Sequence, residues 1–138
     1  MGKIVRFGVS LEAGLLVKFD RLLRKRGWAN RSEAIRNLIR QDLVKKEWLE
    51  GDEVAGAVTL IYDHHRKDLM GRITDIQHDY HHLILSSQHI HLDHDHCLEI
   101  IAVKGKPAGV NRLAHALKTI RGVTYGTLSM STTGRGLE

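Results

Sequence analysis

Between Ile4 and Leu11 the side chains alternate, and the chain then turns helical twice without offering a second strand. Val5, Phe7, Val9 and Leu11 predict one face of a β-strand, with Arg6, Gly8 and Ser10 on the other. Leu15, Leu16, Phe19, Leu22 and Leu23 recur with helical period, as do Ala34, Ile35, Leu38, Ile39 and Leu43. A lone strand leaves its backbone N–H and C=O groups unpaired. The pattern therefore predicts two copies of the chain, their strands paired antiparallel across a twofold axis, with both helix pairs buried behind the ribbon. Ser10, with Glu12 in the first turn, predicts the start of the first helix, and Gly27 its left-handed end. Asn30, followed three residues later by Glu33, predicts a capping box that opens the second helix.

The charges divide the chain. Residues 1–51 hold 12 Lys and Arg against 6 Asp and Glu; the remainder holds 9 against 10, with all ten histidines and the single cysteine, Cys97. Two domains follow as an expectation, residues 1–50 and 54–138, with Trp48 to Ala55 as a hinge in which Gly51, Asp52 and Gly56 break the helical pattern. The basic surplus of the first part suits a polyanion. A two-stranded ribbon with Arg6, Gly8 and Ser10 outward fits the major groove of double-stranded DNA. Arg6 suits guanine edges, Ser10 a base or a phosphate, and Gly8 permits close approach. The N–H groups at Asn30, Arg31 and Ser32, aided by the Arg31 side chain, suit a phosphate oxygen. One cysteine excludes an intramolecular disulfide, and the longest apolar runs fall far short of a membrane span. The N-terminal residues lack the apolar core of a signal peptide, so the expectation is a cytoplasmic protein without a membrane partner.

In the second part, Val54 to Tyr62 predicts a strand and residues 66–80 a helix. Leu83 to Leu92 and Cys97 to Val103 predict two strands joined by the polar loop Asp93-His94-Asp95-His96. Pro107 starts a helix that Gly122 ends, and Val123 to Ser131 supplies the last strand. The order β-α-β-β-α-β implies a ferredoxin-like sandwich, with both helices on one face of a four-stranded antiparallel sheet. Within the hairpin, Ile90, Leu92, Leu98 and Ile100 alternate onto one face and predict the side that packs against the helices. His89, His91, Cys97 and Glu99 fall on the other.

Two imidazoles and a thiolate on one sheet face make a ligand set for a borderline or soft divalent metal ion. The set is one short, and His78, near the end of the first helix of this domain, is the candidate fourth ligand. With the helices on the opposite face, His78 is expected to reach a site on another subunit. Individually, His64, His65, His81, His82, His94, His96 and His115 read as solvated or structural.

Two runs carry a resemblance. Lys25-Arg26-Gly27-Trp28 followed by Asn30-Arg31-Ser32-Glu33-Ala34-Ile35-Arg36, behind a strand, resembles the ribbon-helix-helix transcription factors. His89-Ile90-His91 with Asp93-His94-Asp95-His96-Cys97-Leu98-Glu99 resembles the metal site of the nickel-responsive transcriptional regulators of the NikR family. The resemblance spans essentially the whole chain in the same order. It implies an α+β protein, with a dimeric β-α-α ribbon-helix-helix domain before a ferredoxin-like βαββαβ domain of the ACT type. It further implies one Ni(II) per subunit, held by His89, His91 and Cys97 with His78 from a neighbouring subunit, and Tyr62, Gln77 and Glu99 supporting the ligands through hydrogen bonds. The implied assembly is a homotetramer, a dimer of dimers, that represses nickel-uptake genes from a palindromic DNA operator.

Two positions depart from the family pattern. Gly8 stands where the ribbon often carries a side chain, and Asn37 replaces an acidic residue found in some members near a secondary cation site between the domains. A copper or zinc sensor on the same scaffold is the alternative reading. No phosphate loop, substrate pocket or placed nucleophile points to an enzyme, and the histidine patch argues against an amino-acid-sensing domain.

Overall fold

A computed structural model of the chain describes residues 2–138. They form two compact units: the chain up to Leu43 together with Gly134–Glu138, and Val44–Thr133.

In the first unit, residues 2–12 carry no strand ladder in the single chain, and Phe7 is 71% exposed. A strand exists only with a partner, and the alternation predicts that partner in a second copy. Helix α1 spans Ala13–Lys25 and begins later than Ser10 predicts. Glu12 stands at the cap and makes no side-chain cap bond. The end of α1 is as expected. Gly27 has φ +74°, Trp28 N–H donates to the Leu23 carbonyl at 3.0 Å, and Gly27 N–H to that of Arg24 at 3.1 Å. These paired bonds are a Schellman closure, which needs the left-handed conformation that glycine adopts without strain. Helix α2 spans Arg31–Glu50. Asn30 Oδ1 accepts from Glu33 N–H at 2.8 Å, and Glu33 Oε2 accepts from Ala29 N–H at 3.0 Å. The reciprocal bond of the capping box thus falls one residue before the cap. Among the described residues of this unit only Leu23 and Ala34 are buried, while Leu16, Phe19, Leu22, Ile35 and Leu38 are half-covered. One chain supplies half a core.

The second unit contains β1 (Val54–Asp63), α3 (Lys67–Asp79), a 3-10 turn (His81–Leu83), β2 (Ile84–His91), β3 (His96–Gly105), α4 (Pro107–Lys118) and β4 (Val123–Met130). The sheet order is β2-β3-β1-β4 with every neighbour antiparallel, the ferredoxin-like arrangement. Pro107 opens α4 where its missing N–H costs nothing; the helix stops at Lys118, before Gly122. Leu69 and Ile73 of α3 and Val110, Leu113, Ala114 and Leu117 of α4 pack on Val58, Leu60, Ile101 and Val103. Each such leucine or isoleucine contributes about 1.5–3 kcal/mol by leaving water. Trp48, expected in a hinge, is instead 7% exposed in this core, and its indole N–H donates to the Ser131 carbonyl at 2.8 Å.

The two faces of the sheet are the reverse of the expectation. Tyr62 pairs with Cys97 and Leu60 with Glu99, so the ligand side chains share the face of Val58 and Leu60, which the helices cover. Cys97 and Glu99 are buried, whereas Leu98 and Ile100 are only half-covered and Leu92 is exposed. Alternation in the hairpin alone shows two faces, both rich in large side chains on one strand or the other. The central strand β1 decides which is inside.

Candidate metal centre

β3 supplies Cys97 and Glu99, β2 supplies His89 and His91, β1 supplies Tyr62, and α3 supplies Gln77. The register sets His89 opposite Glu99 and His91 opposite Cys97. Cys97 Sγ lies 3.6 Å from His89 Nδ1, and the Tyr62 hydroxyl lies 3.3 Å from the same nitrogen. Glu99 is the one fully buried charged side chain among the described residues. A buried carboxylate is costly unless donors surround it. Tyr62 O–H donates to Oε1 at 2.7 Å, Gln77 Nε2 donates to Oε2, and His89 Nε2 lies 2.6 Å from Oε1.

This network determines which imidazole nitrogen faces the thiol. With its proton on Nε2, donated to Glu99, His89 presents the Nδ1 lone pair toward Cys97. Burial, followed by the hydrogen bond to Glu99, pushes the Tyr62 phenol well above its ordinary value, so it remains a donor. An imidazole and an adjacent thiol, the ring oriented by a buried carboxylate, are donors suited to a soft or borderline metal ion.

His91 and His78 are placed differently. The His91 ring stands edge-on to His64, with centroids 4.9 Å apart, and the ligand atoms of His89, His91 and Cys97 are not gathered within 4.8 Å of one another. His78 is exposed, its ring 6.1 Å from that of His81. It follows Gln77 on α3 and points about 100° away from it round the helix axis. The helix therefore lies over its own sheet's ligand face, with Gln77 turned inward and His78 outward. The argument that α3 covers the opposite face does not hold.

The expected DNA contacts divide in the same way. Arg6, Gly8 and Ser10 are exposed in residues 2–12. Asn30 is occupied in capping, and Arg31 is held by a residue that the sequence gives no reason to single out. Its Nε and Nη2 donate to Asp20 Oδ1 and Oδ2 at 3.0 and 2.9 Å, which holds the Asp20 carboxyl below its ordinary range. Ser32 and these groups line an open depression of about 580 Å³ at the start of α2.

Comparison with known proteins gives two family matches. Residues 55–131 match the NikR C-terminal nickel-binding domain, and residues 5–46 match the ribbon-helix-helix proteins of the copG family. A "Putative nickel-responsive regulator" of Syntrophus aciditrophicus is 62% identical over 135 residues, covering 98% of each chain. Proteins with the same description from Chlorobium phaeobacteroides and Nitratidesulfovibrio vulgaris (Miyazaki F) are 54% and 51% identical, covering 95% and 99% of this chain and 98% and 99% of theirs. A solved structure of an uncharacterized protein of Thermotoga maritima, 14% identical, aligns with TM-score 0.52 over 57% of this chain and 98% of that one, a likeness of fold alone. No helix among the described residues is long and apolar enough to cross a membrane. The chain joins a DNA-binding ribbon-helix-helix domain to a nickel-binding domain, is a regulator and not an enzyme, and belongs to the family of nickel-responsive transcriptional regulators.

Proposed function

We propose that the chain is a nickel-dependent repressor that acts in the cytoplasm as a tetramer, a dimer of ribbon dimers, on a palindromic operator controlling nickel uptake. The observation that carries this reading is the buried Glu99, which turns His89 Nδ1 toward Cys97 Sγ at 3.6 Å. Nickel would be held, one ion per chain, by His89, His91 and Cys97 with His78 of a neighbouring chain. The metal supplies cross-linking between chains: a shared ion favours one packing of the nickel-binding domains over others. This chain's own residues do the rest. Glu99 orients His89 and is itself held by Tyr62 and Gln77. Residues 2–12 pair with those of a second copy, presenting Arg6 and Ser10 to base edges and Gly8 to close approach. The start of α2, at Asn30, Arg31 and Ser32, receives a phosphate.

The test is operator binding by the full-length protein with and without Ni(II), alongside Cys97→Ala. Nickel is expected to strengthen binding by about 5–150-fold, the span of ordinary allosteric coupling. Cys97→Ala is expected to abolish that gain while keeping weak, metal-independent binding. A full nickel response in Cys97→Ala would overturn the assignment. An equal response to Zn(II) at matched occupancy would favour a sensor of another metal.

A further inference from the structure

Helix α2 leaves the first unit after Leu43, and the chain comes back to that unit after Thr133, so the backbone crosses between the units twice. The returning segment runs back along α2. At its start, Ser131 N–H donates to the Ala55 carbonyl at 2.9 Å, and the Ser131 carbonyl accepts from the Trp48 indole at 2.8 Å. The same indole lies against Gly56, the partner of Met130 in β4, so this end is anchored in the second unit. At the other end, Arg40 Nε donates to the Leu137 carbonyl at 3.1 Å, and Leu137 is half-buried. Trp48 and Arg40 are separated by about 12 Å of helix. The segment from Ser131 to Leu137 could reach about 20 Å fully extended, so it spans the two anchors with length to spare. A turn at Arg135 and Gly136 takes up the slack, with Gly134 and Gly136 at φ +86° and +77°.

We propose that residues 131–137 are a splint on α2, which stiffens the helix where it passes from one unit to the other and carries the response to nickel from the metal-binding domain to the ribbon. Leu43, Lys45 and Lys46, at the crossing, are exposed, so little of the protein packs on this stretch of helix. Most helical stability in proteins comes from packing, and a thinly covered stretch opens and bends most readily. With the segment fastened at both Trp48 and Arg40, bending α2 between them requires one of the two bonds to break. A metal ion can bias the ribbon only through what crosses between the units. A stiffer crossing narrows the orientations open to the ribbon, so more of the preference set by the ion reaches the DNA. This role in signalling rests on the nickel-dependent DNA binding proposed above; the stiffening of α2 does not.

The experiment compares the full-length wild type with a deletion of residues 134–138, with Arg40→Ala, and with the two combined. Amide exchange over residues 40–47 reads the stiffness of α2, and operator affinity with and without Ni(II) reads the coupling. Exchange is expected to quicken about 2–10-fold in the deletion and in Arg40→Ala, the span of one net hydrogen bond. The combination should add nothing further, because both changes remove the same contact. The nickel-induced gain in operator affinity should fall by a similar factor, and the strengthening of nickel binding by the operator should fall with it. Nickel affinity without DNA should stay at the wild-type value. The proposal is overturned if the deletion leaves exchange unchanged, if the two changes add, or if exchange quickens while the nickel gain stays full. It is also overturned if Arg40→Ala alone weakens operator binding equally with and without Ni(II), the mark of a direct DNA contact. A wild type with no nickel gain, but with exchange quickened as above in the variants, supports the splint and counts against the nickel-dependent reading.

Discussion

Glu99 works through its neighbours. Its two oxygens take donors from β1, α3 and β2, so three elements meet at one buried charge. Replacing it with glutamine keeps the volume but removes the charge that holds the Nε2 proton of His89. Glu99→Gln is therefore expected to lower Ni(II) affinity about 10–100-fold, the usual effect of disturbing a group that orients a ligand. Competition titration against a chelator of known affinity measures it. An affinity within twofold of wild type would show that Glu99 has no part in setting the His89 tautomer. Tyr62→Phe removes one donor from the same carboxylate. Leaving a buried acceptor short is expected to cost about 1–3 kcal/mol, read as a lower unfolding midpoint in denaturant. Both residues look unremarkable in the sequence, where Tyr62 is one aromatic in a strand and Glu99 one acid in another. Alternation already sets Glu99 on the face of His89, His91 and Cys97, but only the resemblance to a family singles out Tyr62, because pairing across strands joins the two.

Two elements have a behaviour that depends on a carboxylate. The α1–α2 pair is bridged by Asp20 and Arg31, which occupies a guanidinium otherwise available to a phosphate. Asp20→Asn is expected to free that charge and steepen the fall of DNA affinity with salt by up to about one unit of logarithmic slope. An unchanged slope would mean that Arg31 does not meet the backbone. The β2–β3 hairpin depends on Asp93, whose Oδ1 accepts from the N–H groups of Asp95 and His96 at 2.9 and 2.8 Å. The His96 backbone bond, then that of Asp95, holds its carboxyl below the ordinary range. A carboxyl lowered on folding adds stability that is present above its unfolded value and is lost as pH falls through the folded one. The hairpin amides of Asp95 and His96 are thus expected to stay protected near neutrality. They should lose protection only below the ordinary aspartate range, an order that amide exchange followed across pH resolves.

At the scale of the molecule, a single chain leaves two apolar surfaces open. One is the half-core of α1 and α2 with the unpaired residues 2–12; the other is the sheet face bearing Leu98 and Ile100, which no helix covers. Each calls for a further copy, and together they lead to the tetramer proposed above. Ile100→Asp, on the uncovered face, is expected to leave the ribbon dimer intact and to break the larger assembly into dimers, as sedimentation would show. A tetramer unchanged in Ile100→Asp would place the second interface elsewhere.

By itself the sequence was enough to determine the order of helices and strands in the second unit and the left-handed end of α1 at Gly27, because these rest on local periodicity and turn chemistry. It also carried the family, through motifs in both halves. The tertiary structure alone decided which sheet face lies inside, since that depends on β1 pairing with β3 more than thirty residues away. It decided that Trp48 belongs to a core and not to a hinge, and that Arg31 is held by Asp20. It also gathered His65, His94 and Asp95, residues that alternation and spacing leave as solvated surface. Non-local pairing brings such groups together, and no local pattern records it.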